Sequence, residues 1–485
     1  MRRAGARTAV PLFSGAGRLK TRIPWLLLLL ALGVAPARAA SVPTFSLPRI
    51  GTVHVYRPHG PVRAVVLFAS GDGGWNLGVV DMARILAREG ALVAGFSTPP
   101  YLHRLDREKG RCAYPAADLE KLSQYLQRRE GLHRYIPPVL AGYSSGATLT
   151  YALLAEAPAG TFRGGISLGF GPELAVTRPL CPGTKLHMTR RRDHQGYDVE
   201  PADLPVPWII LQGGIDRVYN IDAVARFIDQ VGNATLVRLP HVGHGYSVRR
   251  HWVPQYRAAF AKLATRDDHA GNADNLLDLP LVEVPARSAR GDTFAVMLSG
   301  DGGWVGLDRR IAADLAARGV PVAGWSSLEY FWHAHGPDEA GRDLSRAIAH
   351  FGRRWDRRHV ILIGYSLGAD VLPFMASRLP PGQRAQVDLV ALLGPGEKTG
   401  FEFHVADWLH LPESGPRYPV PPEIRRLRGM RVLCVYGADE AHSACPQVSL
   451  AGATIREVRG GHHFGGDYHR LAGMILQAAS RPARH

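Results

Sequence analysis

The second half of this 485-residue chain repeats the first half. Five sequence patterns recur in the same order, and a matching serine, aspartate and histidine lie 222, 223 and 218 residues apart. Ordered matches at nearly one offset indicate an internal duplication, and a repeat of this length can fold as a whole domain. The matching segments are residues 64–75 and 293–304, 91–97 and 320–326, 139–147 and 361–369, 208–216 and 431–439, and 241–246 and 459–464.

Each copy alternates short, continuously apolar segments with amphipathic stretches, as in AVVLFA at residues 64–69. Strands that are apolar throughout are buried on both faces, which is typical of a parallel sheet covered by helices. We therefore predict two tandem α/β domains, each a mainly parallel sheet with helices on both faces. The polar residues 266–278 are predicted to link a first copy at residues 41–265 to a second copy at residues 279–485.

The first 39 residues have the pattern of a cleavable signal peptide. Seven basic residues and no acidic ones fall within the first 40 positions, which also hold an apolar run at residues 24–34. Ala37-Arg38-Ala39 then matches an A-x-A cleavage site. The run is shorter than the roughly 20 apolar residues that span a bilayer, which disfavours the alternative of an uncleaved membrane anchor. We predict an exported protein from which residues 1–39 are removed.

The charge of the chain is that of a basic globular protein. The formal net charge is +16, and the chain without its first 39 residues keeps 51 basic residues against 42 acidic ones. This surplus favours weak attraction to an anionic membrane face, although a positive solvated surface is the simpler interpretation. No basic block with interleaved aromatic residues is present, so we expect no nucleic-acid partner.

The four cysteines fall two in each copy, at Cys112 and Cys181 and at Cys434 and Cys445. An even number of cysteines in an exported chain favours disulfides. We predict a Cys112–Cys181 bridge and a Cys434–Cys445 bridge, with free buried thiols as the alternative.

Both copies contain the pattern G-x-S-x-G between an apolar segment and a helix-like stretch, at residues 142–146 and 364–368. This pattern is typical of a sharp strand-to-helix turn that exposes a nucleophilic serine, where glycines permit close backbone packing. The turn also places the serine at a helix N-terminus, which favours developing negative charge. We predict Ser366 and Ser144 as nucleophiles, although glycine-rich turns with serine also occur without catalysis.

An aspartate and a histidine follow each serine, in the Ser–Asp–His order of α/β-hydrolases. Each aspartate follows an apolar segment, as expected at the carboxyl end of a parallel strand, although turn or helix-capping aspartates look similar. Alignment of the copies selects His462 over its neighbour His463, which stays open because only geometry decides. The predicted sets are Ser366, Asp439 and His462 in the second copy, which we favour as the main active site, and Ser144, Asp216 and His244 in the first copy.

These residue types support ester hydrolysis. The serine attacks the carbonyl carbon, the histidine takes and returns the serine proton, and the aspartate orients the imidazole. An oxyanion hole needs two backbone N–H groups, predicted at Leu367 and at Asp301 or Gly302 of the S-G-D-G-G-W turn, unless that turn is an ordinary glycine turn. The chemistry needs no cofactor. A metal site at the paired histidines and Asp467 is disfavoured because no second ligand cluster has suitable spacing.

Four motifs of the second copy carry a family resemblance: the S-G-D-G-G-W turn, G-Y-S-L-G-A-D at residues 364–370, Y-G-A-D-E at residues 436–440 and G-G-H-H-F-G-G-D-Y at residues 460–468. With them the chain resembles the VirJ/AcvB family of bacterial periplasmic virulence-associated proteins. The two copies and the export signal are similar to the longer AcvB type rather than the shorter VirJ type, so the resemblance covers nearly the whole chain.

The resemblance implies a periplasmic α/β-hydrolase that cleaves aminoacyl-phosphatidylglycerol, most often the lysyl form, at the inner membrane. Hydrolysis of the aminoacyl ester would return phosphatidylglycerol and the free amino acid. The family's nucleophile, acid and histidine map to Ser366, Asp439 and His462. The residues alone predict an ester hydrolase, and the lipid substrate comes only from the resemblance.

The ammonium group of an aminoacyl ester would pair with a carboxylate near the pocket. Candidates are Asp370 and Glu329, and the aromatic loop at residues 326–332 that holds Glu329 is also a candidate lipid contact. The alternatives are a structural hydrogen bond for Asp370 and a solvated loop for Glu329.

Sequence alone leaves the role of the first copy open. It is either a second esterase or a docking domain for lipid or protein, and Arg217, next to Asp216, would weaken that acid if the two paired. Two other functions also stay open: an exported carboxylesterase or peptidase of another specificity, and a non-catalytic accessory protein of a secretion system.

Overall fold

The computed structural model describes residues 42–183, 185–264, 276, 279–286, 291–403, 416–448 and 452–480. The predicted signal peptide and, apart from Leu276, the predicted linker lie outside these residues. Val42–His485 form a single compact unit.

The first copy consists of strands that alternate with helices. Helix α3 begins at a proline, which suits the first helical turn because proline lacks an N–H. The strands are β1 (Thr44–Leu47), β2 (Gly51–Tyr56), β3 (Ala64–Ala69), β4 (Ala91–Phe96), β5 (Val139–Tyr143), β6 (Gly164–Leu168), β7 (Glu173–Leu174), β8 (Met188–Arg190), β9 (Tyr197–Val199), β10 (Trp208–Gly213) and β11 (Ala234–Leu239). The helices are α1 (Leu77–Arg88), α2 (Thr98–Asp106), α3 (Pro115–Arg129), α4 (Ser145–Glu156), α5 (Ile221–Ile228) and α6 (Val253–Ala264).

The second copy repeats this alternation with its own strands and helices. The strands are β12 (Leu281–Val284), β13 (Thr293–Leu298), β14 (Val322–Trp325), β15 (His359–Tyr365), β16 (Val387–Leu393), β17 (Lys398–Thr399), β18 (Tyr418–Pro419), β19 (Val432–Gly437) and β20 (Ala453–Val458). The helices are α7 (Gly306–Ala317), α8 (Ser327–Tyr330), α9 (Pro337–Arg354), α10 (Leu367–Ser377), α11 (Pro381–Arg384), α12 (Val420–Arg425) and α13 (Tyr468–Ser480).

Each copy is built on one large sheet. The first sheet has the order β1-β2-β4-β3-β5-β6-β10-β11, and the second has the order β12-β14-β13-β15-β16-β19-β20. In both sheets the strands from β4 or β14 onward run parallel, and antiparallel strands occur only at the starting edge. The carboxyl ends of the parallel strands therefore share one edge, which is where α/β sheets hold their sites.

Side chains of the central strands pack on both faces of each sheet. In β3, alternate residues belong to separate apolar clusters: Val65, Leu67 and Ala69 to one cluster, and Ala64, Val66 and Phe68 to the other. Strand β13 alternates in the same way. Burial on both faces explains the continuously apolar strands. The predicted fold class, two tandem α/β-hydrolase domains, is confirmed.

The two copies pack against each other near α3. Trp332 is fully buried, donates from Nε1 to the carbonyl oxygen of Leu132 at 2.7 Å, and packs on Tyr135 with ring centroids 5.5 Å apart. Arg128 and Glu402 form an ion pair at 2.7 Å. The aromatic loop at residues 326–332 is thus part of the interface between the copies, so the expectation that it contacts lipid is wrong.

Each copy holds one disulfide. Cys112 is bonded to Cys181 and Cys434 to Cys445, which are the predicted pairings. Both bridges fit an exported protein, because disulfides persist in oxidising compartments. Within the described part of the chain, no helix has the length and apolar character needed to cross a bilayer.

Candidate active sites

Both predicted nucleophiles lie in a strained turn between a strand and a helix. Ser144 connects β5 to α4, and Ser366 connects β15 to α10. Their backbone angles are nearly identical, with φ 55° and ψ −121° for Ser144 and φ 51° and ψ −120° for Ser366. A positive φ is unfavourable for a serine and is held only where the surrounding structure enforces it. The turn places each serine at the carboxyl edge of its sheet.

The glycines around each serine leave room for neighbouring backbone. A Cβ on Gly146 would lie 2.3 Å from the carbonyl oxygen of Ala69, and a Cβ on Gly368 would lie 2.4 Å from that of Leu298. The strand before the S-G-D-G-G-W turn therefore contacts the helix after the serine directly. This contact brings the turn beside the nucleophile in both copies.

Gly368→Ala is expected to lower the free energy of unfolding by about 1–3 kcal/mol, because the added methyl group overlaps the Leu298 carbonyl. Urea denaturation followed by circular dichroism measures the change. Gly382→Ala is the matched control, since no atom lies within 4 Å of its added Cβ. Equal destabilisation of the two variants would show that the close approach at Gly368 is unimportant.

Ser144, His244 and Asp216 of the first copy form a closed chain of hydrogen bonds. His244 Nε2 lies 3.0 Å from Ser144 Oγ, and His244 Nδ1 lies 2.9 Å from Asp216 Oδ2. Asp216 Oδ1 accepts the N–H groups of Val218 and Tyr219 at 2.8 and 3.0 Å. In this geometry the carboxylate orients the imidazole and the imidazole can accept the serine proton.

Arg217 does not compete for the carboxylate of Asp216. Its side chain is exposed, and within the described residues it forms no ion pair with Asp216. The pairing of Arg217 with Asp216 that the sequence left open is therefore not formed, and His244 and two backbone N–H groups bind the carboxylate instead.

The carboxylate that contacts the histidine of the second copy belongs to Glu440. Its Oε1 is hydrogen-bonded to His462 Nδ1, and its Oε2 accepts the N–H of Gly437 at 2.5 Å. Asp439 is exposed and, among the described contacts of the chain, does not bind His462. The prediction of Asp439 as the acid is therefore wrong, and Glu440 takes that place.

The position of Glu440 follows from the end of the preceding strand. Strands β10 and β19 end at Gly213 and Gly437, and the acids Asp216 and Glu440 each lie three residues further on. The residue after each glycine donates its N–H at 2.8 Å to the carbonyl oxygen of the last residue of the neighbouring strand, β11 in the first copy and β20 in the second. An alignment of the two copies that matches Asp216 with Asp439 is therefore shifted by one residue, because it matches the residue type instead of the distance from the end of the strand.

His462, rather than His463, matches His244 of the first copy. The carbonyl oxygen of His462 accepts the hydroxyl of Tyr365 at 3.3 Å, as that of His244 accepts the hydroxyl of Tyr143 at 2.9 Å. His463 contacts Tyr365 instead and has no carboxylate hydrogen bond among the described residues. No group of three metal-ligand side chains occurs in those residues either.

The pKa shifts of His462 and Glu440 favour a charged pair. Burial lowers the pKa of His462, but the hydrogen bond and the charge of Glu440 raise it by more than burial lowers it. The net shift of the His462 pKa is therefore upward from the ordinary histidine value. Burial raises the pKa of Glu440, while His462 and the Gly437 N–H lower it, with a net shift downward. A negatively charged Glu440 at Nδ1 stabilises the charged form of His462, as a general base that accepts a serine proton requires.

Ser366 and His462 line one cavity of about 620 Å³, together with Asp301 and Gly302. Leu367 lines a smaller cavity of about 180 Å³ that also reaches Ser366. As the first residue of α10, Leu367 has an N–H without an acceptor inside the helix. The predicted oxyanion residues thus lie around the nucleophile, and their role stays a prediction. Among the described contacts, Ser366 and His462 do not form the hydrogen bond that closes the first triad; such bonds often tighten only with substrate.

The two predicted ammonium partners lie in different surroundings. Asp370 accepts the N–H of Gly396 at 2.6 Å and lines the smaller cavity beside Ser366, and burial raises its pKa to about 8. Glu329 lies in α8, where Ser326 Oγ accepts its backbone N–H at 3.4 Å. Glu329 lines neither of the two cavities described at Ser366.

Several solved structures are similar to this chain over about half its length. An esterase domain of a Rhodothermus marinus protein is 16% identical, covers 46% of this chain and 97% of its own chain, and has a TM-score of 0.31. An α/β serine hydrolase homologue from Coxiella burnetii has 16% identity, coverages of 46% and 96%, and a TM-score of 0.31. Est1E from Butyrivibrio proteoclasticus has 13% identity, coverages of 46% and 99%, and a TM-score of 0.32. Comparison with curated protein sequences finds no match.

A sequence family described as bacterial virulence protein (VirJ) matches residues 63–162 and 292–483. These segments cover more than half of the chain and contain Ser366, Glu440 and His462. In the first copy they include Ser144 but end before its acid and histidine. The chain belongs to the VirJ family of bacterial virulence proteins.

Proposed function

We propose that the chain is a periplasmic serine hydrolase whose second copy cleaves the aminoacyl ester of aminoacyl-phosphatidylglycerol, with the lysyl form as the first substrate to test. The observation that supports this most is that Ser366 and His462 line one cavity, and that His462 is hydrogen-bonded to the carboxylate of Glu440. Ser366, Glu440 and His462 all lie within residues 292–483, which the VirJ family matches. The export pattern of residues 1–39 and both disulfides support a periplasmic location.

The reaction follows from the positions of these side chains. His462 Nε2 takes the proton of Ser366 Oγ, which attacks the ester carbonyl, and Glu440 holds Nδ1–H of the resulting imidazolium. Backbone N–H groups of Leu367 and of Asp301 or Gly302 stabilise the oxyanion. Collapse breaks the ester bond, and His462 returns the proton to the departing phosphatidylglycerol hydroxyl. Water activated by the same histidine then hydrolyses the aminoacyl-serine ester and releases the amino acid.

The first copy carries a second candidate centre. The closed chain from Ser144 through His244 to Asp216 favours hydrolysis there over a purely structural role. We propose that this centre accepts small soluble esters, because the Asp72 turn beside it is exposed to solvent. A non-catalytic accessory role in a secretion system would not explain why both serines keep a strained backbone conformation beside a histidine–carboxylate pair.

The substrate assignment is tested by incubating the purified protein with vesicles that contain lysyl- or alanyl-phosphatidylglycerol. We expect release of free lysine and formation of phosphatidylglycerol, both followed by mass spectrometry. Vesicles of phosphatidylglycerol alone are the control. Hydrolysis of soluble esters without any release from either lipid would contradict the lipid assignment and favour an exported esterase of another specificity.

A further inference from the structure

The S-G-D-G-G-W turn has different surroundings in the two copies. Asp72 of the first turn is exposed, whereas α3 of the first copy lies over Asp301 of the second turn, with Gln124 Nε2 donating to the Asp301 carbonyl oxygen at 3.5 Å. Glu120 of α3 reaches the same turn, and its Oε1 lies 2.9 Å from the position of a Cβ on Gly302. The first copy therefore forms part of the wall of the cavity at Ser366.

The cavity has an excess of acidic side chains. Four carboxylates line it, against the cationic side chains of Lys121 and Arg310 and the two histidines His462 and His463 among its described lining residues. Glu120 makes no hydrogen bond or ion pair with any residue that the structure describes. Burial raises the pKa of Glu120 to about 8, and the charge of Asp301 adds to the rise. A carboxylate in this position is stabilised when a cation binds beside it.

Two of the four carboxylates are fully buried and incompletely satisfied. Asp308 is 2% exposed and Glu156 is 0% exposed. Within the described residues, Asp308 Oδ1 and Glu156 Oε1 have no hydrogen-bond partner. Buried polar atoms are normally paired, so an unpaired oxygen on each of two residues that line the cavity is unusual.

Asp308 has no acidic counterpart in the first copy. Counting from the S-G-D-G-G-W turn, the first copy has Val79 at the same position of the following helix, and Val79 is also buried. A carboxylate that replaces a buried valine introduces a desolvation penalty. The penalty is offset when the carboxylate binds a cationic group of a ligand in the cavity.

We propose that this cavity binds the ammonium group of a cationic acyl moiety, held by Glu120 of the first copy together with Asp301 and Asp308 of the second. The inference rests on the proposed ester hydrolysis at Ser366, because one cavity joins the nucleophile to the carboxylates. An acyl group whose carbonyl carbon lies at Ser366 then extends its amino group toward Glu120. The first copy thereby determines the acyl specificity of the second active site.

The test compares two soluble esters in a Ser144→Ala background, which silences the first centre. Lysine ethyl ester carries two ammonium groups, and Nα,Nε-diacetyl-lysine ethyl ester has the same skeleton without charge. Glu120→Gln is expected to lower kcat/KM for lysine ethyl ester by about 10- to 100-fold, the effect of one hydrogen bond to a charged group. The diacetyl ester should change by less than about twofold. Glu130→Gln, directly after the same helix and paired with Arg57 rather than with the cavity, is the matched control.

A second variant tests the same cavity at a different residue, so that misfolding of one variant does not decide the outcome. Asp308→Val installs the residue that the first copy holds at this position, and it is expected to lower the preference for the cationic ester in the same direction. Equal losses on both esters, or an unchanged preference in both variants, would overturn the proposal. A preference for lysine ethyl ester without release of lysine from lipid vesicles would contradict the lipid substrate and leave the ammonium site standing.

Discussion

Ser366→Ala is expected to lower the release of lysine from lysyl-phosphatidylglycerol at least about 10⁴-fold, because the side chain that forms the covalent intermediate is lost. Ser144→Ala should leave this release within about twofold of the unchanged protein, since its triad belongs to a separate sheet. Steady-state release of lysine from vesicles measures both effects. The methyl group of alanine fits where serine fitted, so both variants should retain their circular dichroism spectrum.

The two serine variants must be compared because the first copy holds a second candidate centre. Its triad is closed in the structure at 2.9 and 3.0 Å, and its nucleophile has the same strained backbone as Ser366. If Ser144→Ala abolished lysine release and Ser366→Ala did not, lipid hydrolysis would belong to the first copy. If neither variant lowered lysine release, a serine mechanism at both centres would be refuted.

Much of the fold could be predicted because its signals are local. The continuously apolar segment at residues 64–69 becomes β3, whose side chains alternate between two buried faces. The G-x-S-x-G pattern marks the strained turn, since Gly146 and Gly368 are enclosed by backbone that leaves no space for a Cβ. These features depend on a few neighbouring residues, and the duplication shows each of them twice.

The acid of the second copy shows where residue type misleads. Asp216 and Asp439 are the same residue type, but the position of the acid is fixed by its distance from the end of the preceding strand. Counted from that strand end, Asp439 corresponds to the exposed Ile215 of the first copy. The acid of the second copy is a glutamate instead of an aspartate, and its longer side chain also forms a hydrogen bond with Nδ1 of His462. Counting three residues from Gly437 instead of matching aspartates would have identified Glu440.

The contacts between the copies could not be predicted from local patterns. Glu120 and Gly302 are far apart in the sequence, and no motif connects α3 of one copy to the turn of the other. The buried position of Trp332 has the same origin, because its neighbours Leu132 and Tyr135 belong to the other copy. The proposed ammonium site is therefore the part that requires the assembled chain.

Each copy thus holds a serine, a histidine and a carboxylate, but in different surroundings. In the first copy the turn at Asp72 is open, and a valine occupies the position after it that faces the core. In the second copy a helix covers the turn, and buried carboxylates line the space beneath it. In the proposal of an ammonium site, this covering is what distinguishes the second copy from the first after the duplication.

Glu440→Gln, made in the Ser144→Ala background, is expected to lower kcat for the second site by about 10²- to 10⁴-fold, because the amide neither fixes the tautomer of His462 nor stabilises its charged form. Asp439→Asn should change kcat by less than about twofold, since its side chain is exposed and does not contact the histidine. The two variants remove the same charge from adjacent residues, so their comparison isolates position. A large loss with Asp439→Asn and none with Glu440→Gln would restore the acid that the repeat alignment selected.

The pH profile adds a readout that a merely structural role of Glu440 would not move. His462 must be neutral to accept the serine proton, and Glu440 holds its pKa above the ordinary histidine value, so activity should fall as pH drops through that raised pKa. Without the carboxylate charge the pKa of His462 falls, and the acidic limb of the remaining kcat/KM should move to lower pH. A limb that stayed in place while kcat fell would mean that Glu440 supports the loop rather than the histidine, because only a group that interacts with the imidazole charge can shift its titration.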